Sequence, residues 1–380
     1  MGGGLLERLE RGEVVLGEGS YCHTLERRGW VLAGYWTPEA AADHPAAVHQ
    51  LATEFSRCGA DVTQTFTFQA TALQSSSFPP GCTATPGEVN EAACAIARRV
   101  RAERGGLVAG GLTRTGLYTP GVHNKEEVQA IYRENLATLV AGGVDFIILE
   151  YFRFLTELEW AIEAAVETGL PVGAMLCMGP VGEEGGASVE HSAIRAARAG
   201  AAMVGVNCLF DPPTCLSVMA RVKAGLEGAG LGGTHLMAQP VGWRVPEGGT
   251  RGSSALPEFP FSLEPRQITR WEARRWARDA YDLGVRYIGG CCGFEPYHIR
   301  AMAEELAEER GGLPEASSKS DHDLRIHRGL EGAGLARYRG KGCLGWWMEL
   351  QPSTGRPLSA VMAAATDQDP PILLYPRITG

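Results

Sequence analysis

The sequence predicts an α/β fold, a (β/α)8 TIM-type barrel with a C-terminal extension. Eight short apolar runs alternate with segments of helical period over residues 10–310, and no dinucleotide-binding glycine pattern interrupts them. The runs are 13–20, 61–68, 107–113, 145–151, 171–178, 203–208, 235–241 and 286–292. Each is bounded by Gly, Pro or Asp, as buried parallel strands tend to be. Amphipathic stretches at 89–103, 125–141, 157–168, 189–199 and 270–283 fill gaps between them. Helix-start chemistry is visible at Thr37-Pro38 and at Thr269-Arg270-Trp271-Glu272. A doubly wound open sheet is the competing topology. Its first strand should lead into G-x-G-x-x-G, whereas here GEGS and YCHTLERRG follow, and no phosphate-loop pattern occurs.

The expected division is a barrel over 1–310 and, over 311–380, a linker followed by an oligomerisation extension. Composition shifts near residue 310 towards Gly, Ser and charge, and residues 324–380 hold aromatic islands (Tyr338, Trp346, Trp347) without the periodicity of an independent core. Such an extension packs on its own barrel or on another copy, so a homo-oligomer, dimer or tetramer, is expected. Hydrophobic content of 44% and charged content of 21% are those of a globular chain, and the net charge of −9 argues against nucleic acid or anionic membrane as partner. No apolar run reaches the ~18 residues of a membrane span. The first residues mix charges among their leucines, unlike a secretory signal, and Leu6 stands where a myristoylation site wants Ser or Thr. A cytoplasmic location is the expectation.

Ten cysteines in 380 residues make no disulfide scaffold. Cys58, Cys94, Cys177 and Cys215 lie in apolar stretches and read as small buried hydrophobes. The adjacent pair Cys291-Cys292 needs another reason. In a barrel the active site lies at the carboxyl ends of the strands. Glu18, Phe68, Glu150, Tyr151, Cys208, Cys291 and Cys292 fall there. Three thiolates on one rim suit a Zn2+ ion, one per subunit, and leave its fourth position open for a substrate. The glycines of GGCCG permit the sharp turn that two adjacent ligands require. Packed or redox-active cysteines are the plainer alternatives.

A strand ending in a carboxylate is often a salt bridge or a cap. Glu150, however, follows Phe146-Ile147-Ile148-Leu149, and a charge at a barrel mouth must be solvated or paired. Two carboxylates facing a metal suggest a substrate amine. Tyr21, Trp36, Phe66, Phe68 and Tyr151 suit a cation held over ring faces, although aromatic residues at strand ends are usually core.

From residue 5 to about 315 the sequence resembles the betaine–homocysteine S-methyltransferases, within the wider zinc-dependent homocysteine methyltransferases. The resemblance rests on WTPEAA at 36–41, QTFTF at 64–68, EVNEAAC at 88–94, EYF at 150–152, GVNC at 205–208, LPEFPF at 256–261 and GVRYIGGCCGFEPYHIRA at 284–301. GVNC followed by GGCC marks the homocysteine methyltransferases, and LPEFPF with GFEPYHIRA points to the betaine-using branch. The resemblance implies a barrel whose zinc, held by Cys208, Cys291 and Cys292, takes the homocysteine thiol and lowers its pKa for attack on a donor methyl, giving methionine and dimethylglycine. It implies that Glu18 and Glu150 hold the amino group and that backbone amides of Gly19, Ser20 and Tyr21 receive the carboxylate. Trp36 and Phe68 would wall the donor pocket, and Tyr151 would take the metal in the substrate's absence. LRIH at 324–327 faintly matches the segment that brings a histidine, here His327, to a neighbouring donor site.

Three departures from the family pattern bear on function. Glu18 replaces the usual aspartate, Tyr21 replaces a phenylalanine, and Gln69 stands where a donor-binding tyrosine usually follows QTFTF. Glutamine has no π face. Betaine is the expected donor, and a sulfonium such as S-methylmethionine or dimethylsulfoniopropionate is the alternative that Gln69 keeps in play. STGRP at 353–357 survives, while the family's long terminal helix is expected to be missing. A non-catalytic zinc-binding scaffold is the reading from a different class. The charged pair beside an open metal position argues against it.

Overall fold

The computed structural model describes residues 3–31, 37–68, 70, 78, 82–246, 248–260 and 262–317. Eight parallel strands, β1 (Val15–Leu16), β2 (Val62–Gln64), β3 (Leu107–Thr113), β4 (Phe146–Phe152), β5 (Val172–Leu176), β6 (Met203–Asn207), β7 (His235–Gln239) and β8 (Tyr287–Ile288), form one sheet in the order β1-β8-β7-β6-β5-β4-β3-β2. Asp61 closes the remaining seam. Its N–H donates to Leu16 O and its carboxylate accepts the Leu16 N–H, both at 2.8 Å, while Arg8 and Arg310 neutralise that carboxylate. The expected barrel is therefore present.

Side chains alternate across each strand with period two. Val15, Val62, Phe146, Ile148, Met175, Met203, Met237 and Tyr287 share one interior cluster, sealed at the amino end by Leu5 and Leu9 of the helix Leu5–Glu10. Their neighbours Leu16, Ile147, Leu149, Ala174, Val204, Val206 and Ala238 pack outward under the helices. Continuing the inward set by one or two steps of the alternation reaches Gln64, Glu150, Asn207 and Gln239, the polar floor of the mouth.

Helices start where side-chain oxygens can take the orphan N–H groups. Thr85 with Glu88, Asn124 with Glu127 and Thr269 with Glu272 make reciprocal capping boxes on Pro86–Arg104, Lys125–Ala141 and Arg270–Leu283. The start expected at Thr37-Pro38 is displaced. A short helix, Ala40–Asp43, begins after Glu39, which makes no side-chain cap bond, and Pro45–Arg57 follows. Near the boundary expected at 310 the described chain stays against the barrel. Arg310 pairs with Asp61, and Ser317 donates to Glu304 at 2.5 Å. Among the described residues no helix is long and apolar enough to cross a membrane.

Candidate active site

Several strands stop short of the apolar runs that encode them, because the chain breaks away to build the mouth. After β6, Cys208 and Leu209 both take left-handed backbone (φ 58° each), a conformation that costs about 1–3 kcal/mol for residues with a Cβ. After β8, the Phe294 N–H donates to Cys291 O across a tight turn, and a Cβ on Gly290 would lie 2.1 Å from the Phe294 ring. Gly293 sits at φ 83°. These two glycines permit adjacent cysteines to face one point. The end of β7 and the segment after it fasten both cysteine loops. Gln239 O accepts the Cys208 N–H at 2.9 Å, Pro240 O accepts the Cys291 N–H at 2.8 Å, and the Gly242 N–H reaches Cys292 O at 2.7 Å.

The three thiols converge. Cys208 Sγ lies 3.8 Å and Cys291 Sγ 3.9 Å from Cys292 Sγ, and all three lie within 4.8 Å of one another. Thiolates at the usual Zn–S length of about 2.3 Å in a tetrahedron have edges of about 3.75 Å. The donor set and its spacing fit a tetrahedral thiophilic cation. Among the described residues this cluster has three members.

Beside it a cavity of about 620 Å³, counting its open mouth, is lined by Glu18, Tyr21, Gln64, Phe68, Glu150 and Cys292 among others. Glu18 is 4% exposed; its carboxylate accepts the Gln64 N–H at 2.8 Å and the Tyr21 hydroxyl at 2.9 Å on each oxygen. Burial pushes its carboxyl up to about 8, against the pull of those two donors. Glu150 accepts the Gln64 side-chain amide at 2.6 Å, and burial pushes it up to about 7. Gln64 thus joins both carboxylates, one through its backbone and one through its side chain. A cation brought beside either buried carboxyl would lower its pKa and favour its ionised form.

A bulge in β4 admits Tyr151 to the same rim. The register shifts between Leu149 and Phe152, Tyr151 takes φ 60°, and its N–H donates to Asn207 Oδ1 at 3.0 Å. Its ring packs in an apolar cluster with Cys177, Cys208 and Trp243, with the Phe68 ring centroid 5.4 Å away and the Arg114 guanidinium over its face.

The cavity brings together Glu18, Gly19, Ser20, Tyr21, Phe68, Glu150, Cys291 and Cys292, with Cys208 behind them in the thiol cluster. Ser20 differs from expectation in one respect. Its N–H, expected to face a carboxylate with those of Gly19 and Tyr21, is already donated to Phe294 O at 2.8 Å. Trp36, Gln69 and His327 lie outside the described residues. Sequence reasoning missed Gln64, Asn207, Gln239 and Cys22. Among the described residues Gln239 Oε1 is buried without a hydrogen-bond partner, and Cys22 lines the cavity with its thiol pushed up to about 11 by burial. The strand alternation that passes through Met237 and Val62 pointed at Gln239 and Gln64.

The sequence profile of the homocysteine S-methyltransferases matches residues 15–306. The chain belongs to that family. This S-methyltransferase is 48% identical over 365 residues to betaine–homocysteine S-methyltransferase 1 of Danio rerio, covering 95% of this chain and 89% of the relative. It is also 48% identical over 360 residues to an S-methylmethionine–homocysteine S-methyltransferase of Rattus norvegicus, covering 93% and 94%. The metallated homocysteine methyltransferase MmuM of Escherichia coli shares the fold at a TM-score of 0.61 and 18% identity, over 78% of this chain and 98% of that one.

Proposed function

We propose that this enzyme transfers a methyl group from betaine to the thiol of L-homocysteine, giving methionine and dimethylglycine. The observation that carries the reading is an open three-thiol cluster sharing one cavity with two buried carboxyls joined by Gln64. Cys208, Cys291 and Cys292 would hold zinc, which when bound supplies Lewis acidity that keeps the acceptor sulfur ionised at neutral pH. Glu18 and Glu150 receive the acceptor's ammonium and give up their protons as it binds. The unpartnered Gln239 Oε1 offers a further acceptor, and the Gly19 and Tyr21 amides receive the carboxylate. Phe68 and Tyr151 form an apolar, aromatic wall on which a quaternary ammonium is held without a carboxylate's attraction, so loss of its charge during transfer is not opposed. Trp36, Gln69 and His327 complete the donor side in this reading. It also includes cytoplasmic residence and an extension over 311–380 that joins copies of the chain.

The second reading keeps the acceptor and takes a sulfonium donor, S-methylmethionine or dimethylsulfoniopropionate. Gln69 favours it, and equal identity to relatives named for betaine and for S-methylmethionine leaves it standing. A donor panel on zinc-loaded enzyme separates the two, with Gln69→Tyr run alongside. Methionine formation with betaine, improved by Gln69→Tyr, is the expected result; no transfer from millimolar betaine alongside transfer from a sulfonium overturns it.

A further inference from the structure

We propose that Tyr21 is a positioning residue of the acceptor subsite, its hydroxyl holding the Glu18 carboxylate where it meets the acceptor's amino group. The inference rests on the acceptor reading given above and adds a residue to it. Glu18 has two fixed donors, the Gln64 N–H and the Tyr21 hydroxyl, and the hydroxyl alone lies 2.9 Å from both carboxylate oxygens. A donor shared between the two oxygens fixes the rotation of the carboxylate plane as well as its place. A single N–H on one oxygen leaves that rotation free.

The hydroxyl is itself held firmly. The Tyr21 ring stacks on Phe66 (centroids 5.1 Å, 19° between planes) and leans on Phe55 (5.8 Å, 57°). The preceding backbone is clamped, since Ser20 N–H donates to Phe294 O and a Cβ on Gly19 would lie 2.4 Å from that same oxygen. Core packing accounts for the ring. It does not account for a phenol aimed at both oxygens of a carboxylate that lines the substrate cavity. Glu18 reaches farther than an aspartate would by one methylene, and the hydroxyl restrains the extra rotatable bond.

The test is a double-variant cycle on the full-length, zinc-loaded enzyme, with homocysteine KM, kcat and melting temperature read for each protein. Tyr21→Phe keeps the ring and removes the bond, so KM for homocysteine rises about tenfold or more, with a much smaller change in kcat. Glu18→Asp withdraws the carboxylate from the same hydroxyl and raises KM likewise, and the double variant is no worse than the poorer single. If Tyr21→Phe melts below assay temperature, Glu18→Asp reads the contact from the other partner, and an unchanged KM there overturns the proposal. Effects that multiply in the double variant, or a Tyr21→Phe enzyme with unchanged KM, also overturn it while leaving the acceptor reading intact. An unmodified enzyme that neither binds nor methylates homocysteine overturns both.

Discussion

The two ends of the barrel interior are built by the same eight strands and have opposite chemistry. At the amino end Met175, Met203, Met237, Phe146 and Tyr287 fill the bore with the helix Leu5–Glu10 beneath them. At the carboxyl end, two to four residues further along, Gln64, Glu150, Asn207 and Gln239 replace them, and three thiols stand above. The lower end keeps regular strand geometry. The upper end carries left-handed backbone at Tyr151, Cys208 and Leu209 together with the β4 bulge. Packing energy gathered below offsets strain and buried polarity above, which is how a stable fold holds groups poised for substrate.

The largest expected effect is at the thiols. Cys292→Ser leaves two thiolates, so bound zinc, measured by elemental analysis, is lost and transfer falls by about three orders of magnitude or more. Full zinc occupancy in that variant would refute the assigned ligand set. Next comes Met237→Ala at the opposite end, fully buried between Gly173 and Gly205. It should cost about 2–5 kcal/mol of stability with homocysteine KM unchanged; a KM shift as large as that from Glu150 would erase the contrast between the ends. Glu150→Gln removes one charge facing the acceptor's ammonium. Homocysteine KM should rise roughly 10–100-fold at nearly constant melting temperature.

The smallest effect is in pH dependence. Glu18 holds its proton up to about 8 when folded, against an ordinary 4.5. Between those values the folded state binds more protons than the unfolded one. The contribution of Glu18 to stability is therefore complete below 4.5 and lost as pH rises through about 8. Melting temperature of substrate-free enzyme should fall more steeply from pH 4.5 to about pH 8 than that of Glu18→Gln, and added homocysteine should flatten the dependence. Superimposable curves for the two proteins would count against a buried, substrate-responsive carboxyl.

Much of this was legible in the chain. Apolar runs with period two, separated by helical segments with capping boxes, encode a barrel because each pattern buries only one way. The helices at 125–141 and 270–283 start and stop where composition says they should. Cys208, Cys291, Cys292 and Glu150 stood out because charge and thiol at the end of an apolar run need a partner. Gln64 and Asn207 did not, since an amide in a polar-looking strand end is unremarkable until the partners on other strands are known.

Sequence alone thus determined the fold, the family pattern and the kinds of side chain that stand at the strand ends. Only tertiary structure decided three other things: that thiols from β6 and β8 come within 3.9 Å of Cys292, that one glutamine serves both carboxyls, and that Ser20 is already spent on Phe294. The physical reason is that residue type and period are local quantities. Hydrogen-bond partners and sulfur–sulfur distances depend on how strands far apart in sequence are staggered, and on where the backbone leaves them.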